Sequence, residues 1–396
     1  MKNPLRHTIM ALGLWMYSPN TYRKRRTRSL LSMVLSALLI AVLACGTEPP
    51  NQGSPPIQTA APALETQVAG IPPFENHYAL GVVANGNEWI PQEKEGDLII
   101  EMAEAGANFY IFPVDWRIVE PSPGDYDLDL FEFGIPWTKN LGYKTMLTIP
   151  TINTVARSIP ADINHLPFDD PVVLRRFDQL LEELKPILES DVDYISLGNE
   201  VDIYLALNPE EIEPFARFAA HGYETLERLG INKPHCVTFT VDGLLAKHQF
   251  IDQLIAECDY LPITYYPLGA GSQFRDPDVA ESDIGEVVRI SDNLPIVFQE
   301  LGYGTGGLSG GSEARQAAFY ENALRVMENY ANQIEAVSIT MLHDFSRATC
   351  EEFSVYYGFP EDEAFEDFLC YLGLKYRDGT PKEAYPVFLA AIDARK

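Results

Sequence analysis

The chain has 396 residues, of which 29 are basic and 57 are acidic, and its formal net charge is −28. Seven of the basic residues and none of the acidic ones lie in residues 1–44, so the remainder carries a formal net charge of −35. A surface this acidic repels phosphate backbones and excludes nucleic acid as a partner. The length suits one large domain or two ordinary ones, and the charge favours a soluble catalyst or binder of neutral ligands.

The first 44 residues have the features of an export signal. A basic region precedes an apolar stretch at 29–44, which is short for a membrane span and typical of a signal peptide. The stretch runs into the sequence VLAC, which resembles a bacterial lipobox and implies lipid on Cys45 and removal of residues 1–44. An uncleaved membrane anchor is the alternative. In either case we expect an extracytoplasmic protein held at a bacterial membrane, periplasmic or on the cell surface.

Residues 45–75 are rich in proline and have almost no periodic apolar pattern. Such a composition predicts an extended tether that holds a folded domain away from the membrane. No comparable break follows it, so residues 76–396 are predicted to form a single domain. Nothing in its sequence indicates an obligate protein partner.

Within this domain, short apolar runs alternate with amphipathic stretches. The runs are enriched in β-branched and aromatic residues, as buried parallel strands are. Eight strands are predicted, at 78–84, 108–114, 144–150, 193–199, 236–241, 261–266, 295–300 and 336–342. The clearest helices between them are predicted at 174–190, 209–230, 250–257 and 312–332. This alternation predicts an α/β fold, and a (β/α)8 TIM barrel in preference to a doubly wound sheet.

With Cys45 assigned to lipid, four cysteines remain: Cys236, Cys258, Cys350 and Cys370. An even number in an oxidising compartment permits two disulfides, for which pairing each cysteine with its neighbour in sequence is the simplest arrangement. Free buried thiols are the alternative. The absence of a C-x-x-C spacing argues against a cysteine zinc site.

Polar residues follow two of the predicted strands directly. Strand four ends in LGNE, with Asn199 and Glu200, and strand seven ends in Gln299 and Glu300. Functional groups of a (β/α)8 barrel stand at the C-terminal strand ends, where strands four and seven face each other across one mouth. We therefore expect the two glutamates to converge. Paired carboxylates of this kind cleave glycosidic bonds, one protonated for the leaving oxygen and one ionised for the sugar carbon.

The LGNE segment, together with a glutamate at the end of strand seven, resembles the retaining β-glycosidases of glycoside hydrolase clan A, the cellulase and β-mannanase group. Segments 115–129, 263–267 and 378–388 are similar to patterns of the same clan. The resemblance implies hydrolysis of β-glycosidic bonds in a poly- or oligosaccharide by two glutamates, without a metal or organic cofactor. A transglycosylase on the same site and a non-catalytic glycan-binding lipoprotein are the alternatives.

The resemblance also implies roles for single residues. Glu200 corresponds to the acid/base and Glu300 to the nucleophile. Asn199 would bind the sugar 2-hydroxyl, and Tyr266, in preference to Tyr265, would donate a hydrogen bond to the nucleophile.

Six further residues near predicted strand ends are candidates for substrate binding: Asn85, Trp89, Trp116, Arg117, His343 and Asp344. Core packing, turn formation or ion pairing at the barrel rim is the alternative for these residues, but for His343 and Asp344 a place in the pocket is the preferred prediction. The clan often has a tryptophan at the end of strand eight, where this chain has Met341 and Leu342. The sequence therefore departs from the clan pattern at the floor of the sugar site.

The segment GLSGG at 307–311 matches the G-x-S-x-G pattern of α/β-hydrolases. That motif requires a strand running straight into the serine. Here a glycine-rich loop separates the strand end at Glu300 from Ser309, and Ser312 is predicted to cap the following helix. An esterase is therefore disfavoured.

Overall fold

The computed structural model describes residues 77–87, 90 and 94–395. The predicted signal peptide at 1–44, the lipidation site Cys45, the tether and Trp89 lie outside the described residues. No helix in the described part of the chain is both long and apolar enough to span a bilayer.

The strands in chain order are β1 (Ala79–Val82), β2 (Phe109–Pro113), β3 (Lys144–Thr148), β4 (Ile152–Asn153), β5 (Ala156–Arg157), β6 (Tyr194–Ser196), β7 (His235–Cys236), β8 (Phe239–Thr240), β9 (Leu261–Tyr265), β10 (Ile296–Leu301) and β11 (Ile334–Ile339). β4 and β5 form a small antiparallel hairpin, and all other pairings are parallel. One sheet has the order β1-β11-β10-β9-β8 and the other β2-β3-β6-β7.

The two sheets meet at both of their edges. β7 and β8 together form the fifth strand of the barrel, and residues 237–238 between them are not paired as a strand. At the other edge, the Asn108 amide donates to the Leu80 carbonyl at 2.9 Å, and the Asn108 side chain accepts from the Leu80 amide at 2.8 Å. A Cβ on Gly81 would lie 1.8 Å from the Phe109 carbonyl oxygen, so only glycine permits this approach of β1 to β2. The predicted (β/α)8 barrel is confirmed.

Eight helices cover the outside of the barrel: Glu95–Ala105, Asp129–Asn140, Pro171–Ser190, Ile212–Arg228, Gln249–Ile255, Val279–Ile290, Glu313–Glu328 and Ala384–Asp393. The four helices predicted from sequence are among them, with ends displaced by up to four residues. Ser312 accepts a hydrogen bond from the Arg315 amide, which confirms it as the predicted cap.

Additional helices lie in the connections that follow the strands: Trp116–Val119, Val201–Leu207, Val241–Ala246, Arg347–Tyr357 and Glu363–Cys370, with 3-10 turns at Pro209–Glu211 and Ala270–Ser272. Neither these helices nor the β4–β5 hairpin was predicted. The helices of four to eight residues are too short for an apolar periodicity to stand out in the sequence, whereas the 11-residue helix Arg347–Tyr357 was overlooked.

Both neighbour-pair disulfides are present. Cys236 is bonded to Cys258 and Cys350 to Cys370, so the pairing prediction is confirmed and the alternative of free thiols is wrong. The first bond joins β7 to the segment that precedes β9. The second joins the two helices that follow β11.

Candidate active site

Glu200 lies four residues beyond the end of β6 and is the N-cap of the helix Val201–Leu207. Its backbone is left-handed, with φ 48° and ψ 45°, which for a residue other than glycine costs roughly 1–2 kcal/mol. Thr154, in the turn of the β4–β5 hairpin, is also left-handed, with φ 51°. The Thr154 hydroxyl donates to Glu200 Oε2 at 2.6 Å, so a hydrogen bond links the two residues that have left-handed backbones. Such strain persists where the surroundings over-determine it, commonly at functional sites.

A second hydroxyl holds the other oxygen of the same carboxyl group. Thr264 Oγ1, on β9, donates to Glu200 Oε1 at 2.6 Å. Burial raises the pKa of Glu200 above its ordinary value, and the charge of Asp242 adds to this, while the Thr154 and Thr264 hydrogen bonds oppose it. A carboxyl group with a raised pKa retains its proton to higher pH and can serve as a general acid.

Glu300 reaches the barrel interior through a β-bulge in β10. Phe298 pairs with Ile263 and Glu300 with the next residue of β9, Thr264, so Gln299 is the extra residue. Because a bulge shifts the alternation of side chains, Gln299 and Glu300 both form contacts inside the barrel. The Tyr266 hydroxyl donates to Glu300 Oε2 at 2.5 Å.

The two glutamates are held by the same strand. Thr264 donates to Glu200, and Tyr266, two residues later and therefore on the same face, donates to Glu300. Alternate residues of a strand lie about 6.6 Å apart, so the two carboxyl groups stand at the same end of the barrel. The pKa of Tyr266 is raised well above its ordinary value by burial and then by the charges of Glu300 and Glu200, as expected if both carboxylates are near.

Asn199 is fixed by an amide network beside the carboxyl groups. Its Oδ1 accepts from Gln299 Nε2 at 2.6 Å, and its Nδ2 donates to Asn153 Oδ1 at 3.1 Å. Gln299 Oε1 in turn accepts from Thr238 at 2.7 Å and from Thr148 at 3.2 Å. These contacts orient the Asn199 amide. A small cavity of about 10 Å³ adjoins Asn199 and Gln299.

Trp116 and Arg117 are not brought to the carboxyl groups. Trp116 is fully buried; its ring packs against Phe177, and its Nε1 donates to Glu120 at 2.6 Å. Arg117 forms a two-pronged ion pair with Asp115, which also caps the short helix at 116–119. This local pairing accounts for the arginine without a contact to Glu300.

Tyr265 and Tyr266 point to opposite sides of the barrel wall, as successive strand residues do. The Tyr265 hydroxyl donates to Asp283 at 2.9 Å, and its ring packs against Phe319, both in the outer helix layer. Of these two tyrosines, Tyr266 is therefore the one that contacts Glu300.

Three other candidates bond to groups other than the two catalytic carboxyl groups: Asn85 to the His343 backbone, and Asp344 to Lys382. The Asn85 side chain accepts from the His343 amide at 2.9 Å and donates to the His343 carbonyl at 2.8 Å, which links the ends of β1 and β11. Burial lowers the pKa of His343 to about 4, so its ring is neutral. Asp344 forms a fully buried ion pair with Lys382 at 2.6 Å. All three residues therefore lie where the ends of β1 and β11 meet the segment 378–388, which contains Lys382.

Sequence reasoning assigned no role to several residues that contact Asn199 or Glu200, notably Asn153, Thr154, Thr264 and Gln299. Gln299 was recognised as a polar residue at the end of strand seven but was not proposed as a site residue. A threonine carries no motif of its own, so Thr154 and Thr264 gave no signal. Among residues 77–87, 90 and 94–395, no group of three or more His, Cys, Asp or Glu side chains could hold a metal ion.

The GLSGG segment is a turn and not a nucleophile elbow. Ser309 is fully buried, and its hydroxyl donates to Asp367 at 3.0 Å. The strand β10 ends at Leu301, well before this serine. The structure therefore supports the argument against an esterase.

Comparisons with known proteins find similarity only at the level of structure. No protein-family model matches the chain. No curated protein matches it either.

Many solved structures share the fold. A GH5_18 protein from Streptomyces cattleya, in complex with GlcNAc, aligns with a TM-score of 0.63 and 14% identity over 81% of this chain and 80% of that one. A GH5_18 variant from Bifidobacterium longum, in complex with Manβ1-4GlcNAc, aligns at 0.61 with 14% identity over 80% and 78%. The exo-β-1,4-mannosidase Op5Man5 from Opitutaceae bacterium strain TAV5 aligns at 0.58 with 18% identity over 80% and 59%. At these identities the likeness establishes the fold.

Proposed function

We propose that this protein is a retaining glycoside hydrolase that cleaves β-glycosidic bonds. The observation that carries the proposal is the pair of glutamates held by one strand: Thr264 donates to Glu200 and Tyr266 donates to Glu300. Retention by double displacement needs two carboxyl groups on either side of one sugar carbon, one protonated and one ionised. Burial raises the pKa of Glu200, as a general acid requires, and the Tyr266 hydroxyl donates to Glu300, which favours the ionised form of that carboxyl group.

In the first step, Glu300 attacks the anomeric carbon while Glu200 passes its proton to the departing oxygen, giving a covalent glycosyl-enzyme and a free alcohol. In the second, Glu200 takes a proton from water, whose oxygen displaces Glu300 from the sugar. Glu200 is thereby protonated again and Glu300 is an anion again. The Tyr266 hydrogen bond stabilises the ionised form of Glu300 in the resting enzyme.

Asn199 would donate its free amide hydrogen to the sugar 2-hydroxyl. The Gln299 and Asn153 contacts orient the Asn199 amide before substrate arrives, which avoids an ordering cost during reaction. Hydrogen bonds to this hydroxyl strengthen in the transition state.

The structural neighbours support a β-mannoside as the first substrate to examine. Two of them are complexes with GlcNAc or Manβ1-4GlcNAc, and a third is an exo-β-1,4-mannosidase. The acidic chain also favours a neutral sugar over an anionic one.

The proposal is tested with nitrophenyl β-mannoside, β-glucoside, β-galactoside and β-xyloside, following the first-formed sugar anomer by proton NMR. We expect hydrolysis of at least one of them with the β-anomer released first. An α-anomer first would contradict retention. Transfer to an added sugar in preference to water would favour the transglycosylase, and binding without hydrolysis would favour the glycan-binding lipoprotein.

Replacing Tyr266 by phenylalanine is expected to lower kcat on the best nitrophenyl glycoside by roughly 10–100-fold. The ring remains, but the charge-assisted hydrogen bond to Glu300, of about 1.5–3 kcal/mol, is lost. Tyr265→Phe is the matched control, since that hydroxyl binds Asp283 in the outer layer. Equal kcat losses in the two variants would contradict the assigned role of Tyr266.

Replacing Thr264 by valine is expected to move the alkaline limb of the kcat/KM profile to higher pH. The Thr264 hydroxyl favours the ionised form of Glu200, so its removal raises the pKa of Glu200 further and keeps the acid protonated to higher pH. Thr145→Val is the control, because Thr145 lies near the start of β3, at the far end of the barrel, and donates to the Asp191 carbonyl. A shift to lower pH would contradict the assignment of Glu200 as the acid.

We also propose that lipid on Cys45 holds the enzyme at the outer side of a bacterial membrane. The two disulfides support an oxidising compartment. Expression in a bacterium fed a labelled fatty acid, followed by membrane fractionation, tests this. Label and membrane retention should both be lost in Cys45→Ala, and retention without label would favour an uncleaved anchor.

A further inference from the structure

Two helices, Arg347–Tyr357 and Glu363–Cys370, occupy the connection between β11 and the last barrel helix. The Cys350–Cys370 disulfide joins the beginning of the first to the end of the second. We refer to residues 347–370 as the cover helices. They are additional to the eight helices of the outer layer, and they lie at the end of the barrel that carries Glu200 and Glu300.

The cover helices cross the mouth of the barrel. The Tyr356 hydroxyl donates to the Asn153 carbonyl at 2.6 Å, and Asn153 lies in the hairpin that follows β3. β11 and β3 are separated by β1 and β2 around the ring. A contact between the connections of strands this far apart spans the opening.

Tyr357 lies at the end of the first cover helix, next to Tyr356. Tyr356 donates to the Asn153 carbonyl, and the next residue of that hairpin, Thr154, donates to Glu200 at 2.6 Å, so this end of the helix lies against the hairpin that holds the acid. Burial raises the pKa of Tyr357, and the charges of Glu200 and, more weakly, Glu300 add to this, in agreement with that position.

Aromatic contacts anchor the cover helices to the same site. The Tyr357 ring centroid lies 5.5 Å from that of Phe365, which lies 5.7 Å from that of Phe368. Phe368 in turn meets Tyr266 edge-on, with centroids 5.5 Å apart. The chain of rings therefore ends on the tyrosine that donates to Glu300, and the position of Tyr357 is coupled to the site by packing.

The carboxyl groups under the cover helices are enclosed. Glu200 is 6% exposed and Glu300 is 0% exposed. An enzyme that cuts inside a polysaccharide needs an open cleft through which the chain passes on both sides of the cleaved bond. A mouth that the cover helices cross suits a site that receives the end of a chain.

We propose that Tyr357 contacts the sugar bound at Glu200 and Glu300 and closes the site beyond it, so that the enzyme removes single sugar units from chain ends. The inference rests on the proposed glycosidase function and specifies its substrate class as terminal β-linked sugar residues. The Tyr357 ring packs against the C–H face of that sugar.

The test uses β-1,4-linked mannopentaose and glucopentaose whose reducing ends have been converted to alditols, with early products identified by mass spectrometry. For the wild type, we expect a free monosaccharide and an alditol shortened by one unit. Tyr357→Ala should raise KM for the nitrophenyl glycoside by about tenfold and release di- and trisaccharides from the pentaoses. Tyr357→Phe, which keeps the ring, should still cut at chain ends.

Val355→Ala is the control, because Val355 lies on the same helix and is exposed. It should match the wild type in KM and products. Internal cleavage by the wild type overturns this inference and leaves the proposed function standing, as does a Tyr357→Ala variant with unchanged KM and products. If Tyr357→Ala does not fold, Tyr357→Leu takes its place. A wild type that hydrolyses no glycoside overturns the proposed function and this inference with it.

Discussion

Replacement of Glu300 by glutamine is expected to lower kcat on a nitrophenyl β-glycoside by roughly 10⁴-fold or more, as removal of an enzymatic nucleophile generally does. The amide preserves the size of the side chain and can accept from Tyr266, but it cannot form the glycosyl ester. The measurement is steady-state kinetics on purified protein with a matched melting temperature.

Glu132→Gln serves as the control for this loss, because Glu132 is exposed on an outer helix. A Glu300→Gly variant supplied with azide gives a stereochemical check. Azide can attack only from the face vacated by the carboxylate, so the product should be the α-glycosyl azide. A Glu300→Gln enzyme with near wild-type kcat, or a β-azide from Glu300→Gly, would remove Glu300 as the nucleophile.

Replacement of Glu200 by alanine is expected to produce a loss that depends on the leaving group. A dinitrophenolate departs without a proton, so the first step on dinitrophenyl β-glycoside should be nearly unaffected. An alkyl or sugar leaving group requires protonation, and its kcat/KM should fall by about 10²–10⁴-fold, the usual contribution of general acid catalysis. Pre-steady-state kinetics on the two substrates measure the difference.

The second step provides an independent check on Glu200. Without a base to activate water, the glycosyl-enzyme should accumulate, and azide, which needs no base, should restore turnover with the β-glycosyl azide as product. Asp242→Asn is the control, since Asp242 contributes only its charge to Glu200. If Glu200→Ala hydrolysed both substrate types with equal losses and did not respond to azide, Glu200 would not be the acid/base.

Much of the fold could be predicted because its signals are local. Eight buried parallel strands each require a continuous apolar run, and these runs are legible in the sequence. The disulfide pairing was also open to prediction, since the paired cysteines are only 22 and 20 residues apart. The short helices of the mouth were missed because they are stabilised by contacts with distant segments.

The residues of the candidate site also differ in whether the local sequence indicates them. Glu200 and Glu300 stand out because a carboxylate directly after a buried strand is unusual. The indole of Trp116 and the side chains of Asn85, His343 and Asp344 were equally conspicuous at strand ends, yet they pack or pair within the protein. Residue type and strand position alone do not show which way a side chain turns.

The alternation of strands and helices and the polar ends of strands four and seven are local features, so the barrel and the convergence of Glu200 and Glu300 could be predicted from them. The groups that surround the two glutamates could not. The bulge at Gln299, the choice of Tyr266 over Tyr265, the Thr154 and Thr264 hydroxyls and the crossing of the cover helices over the mouth all depend on strand register and on loops meeting across the ring. Those contacts join residues up to 203 positions apart, and no pattern within a local window of the chain records them.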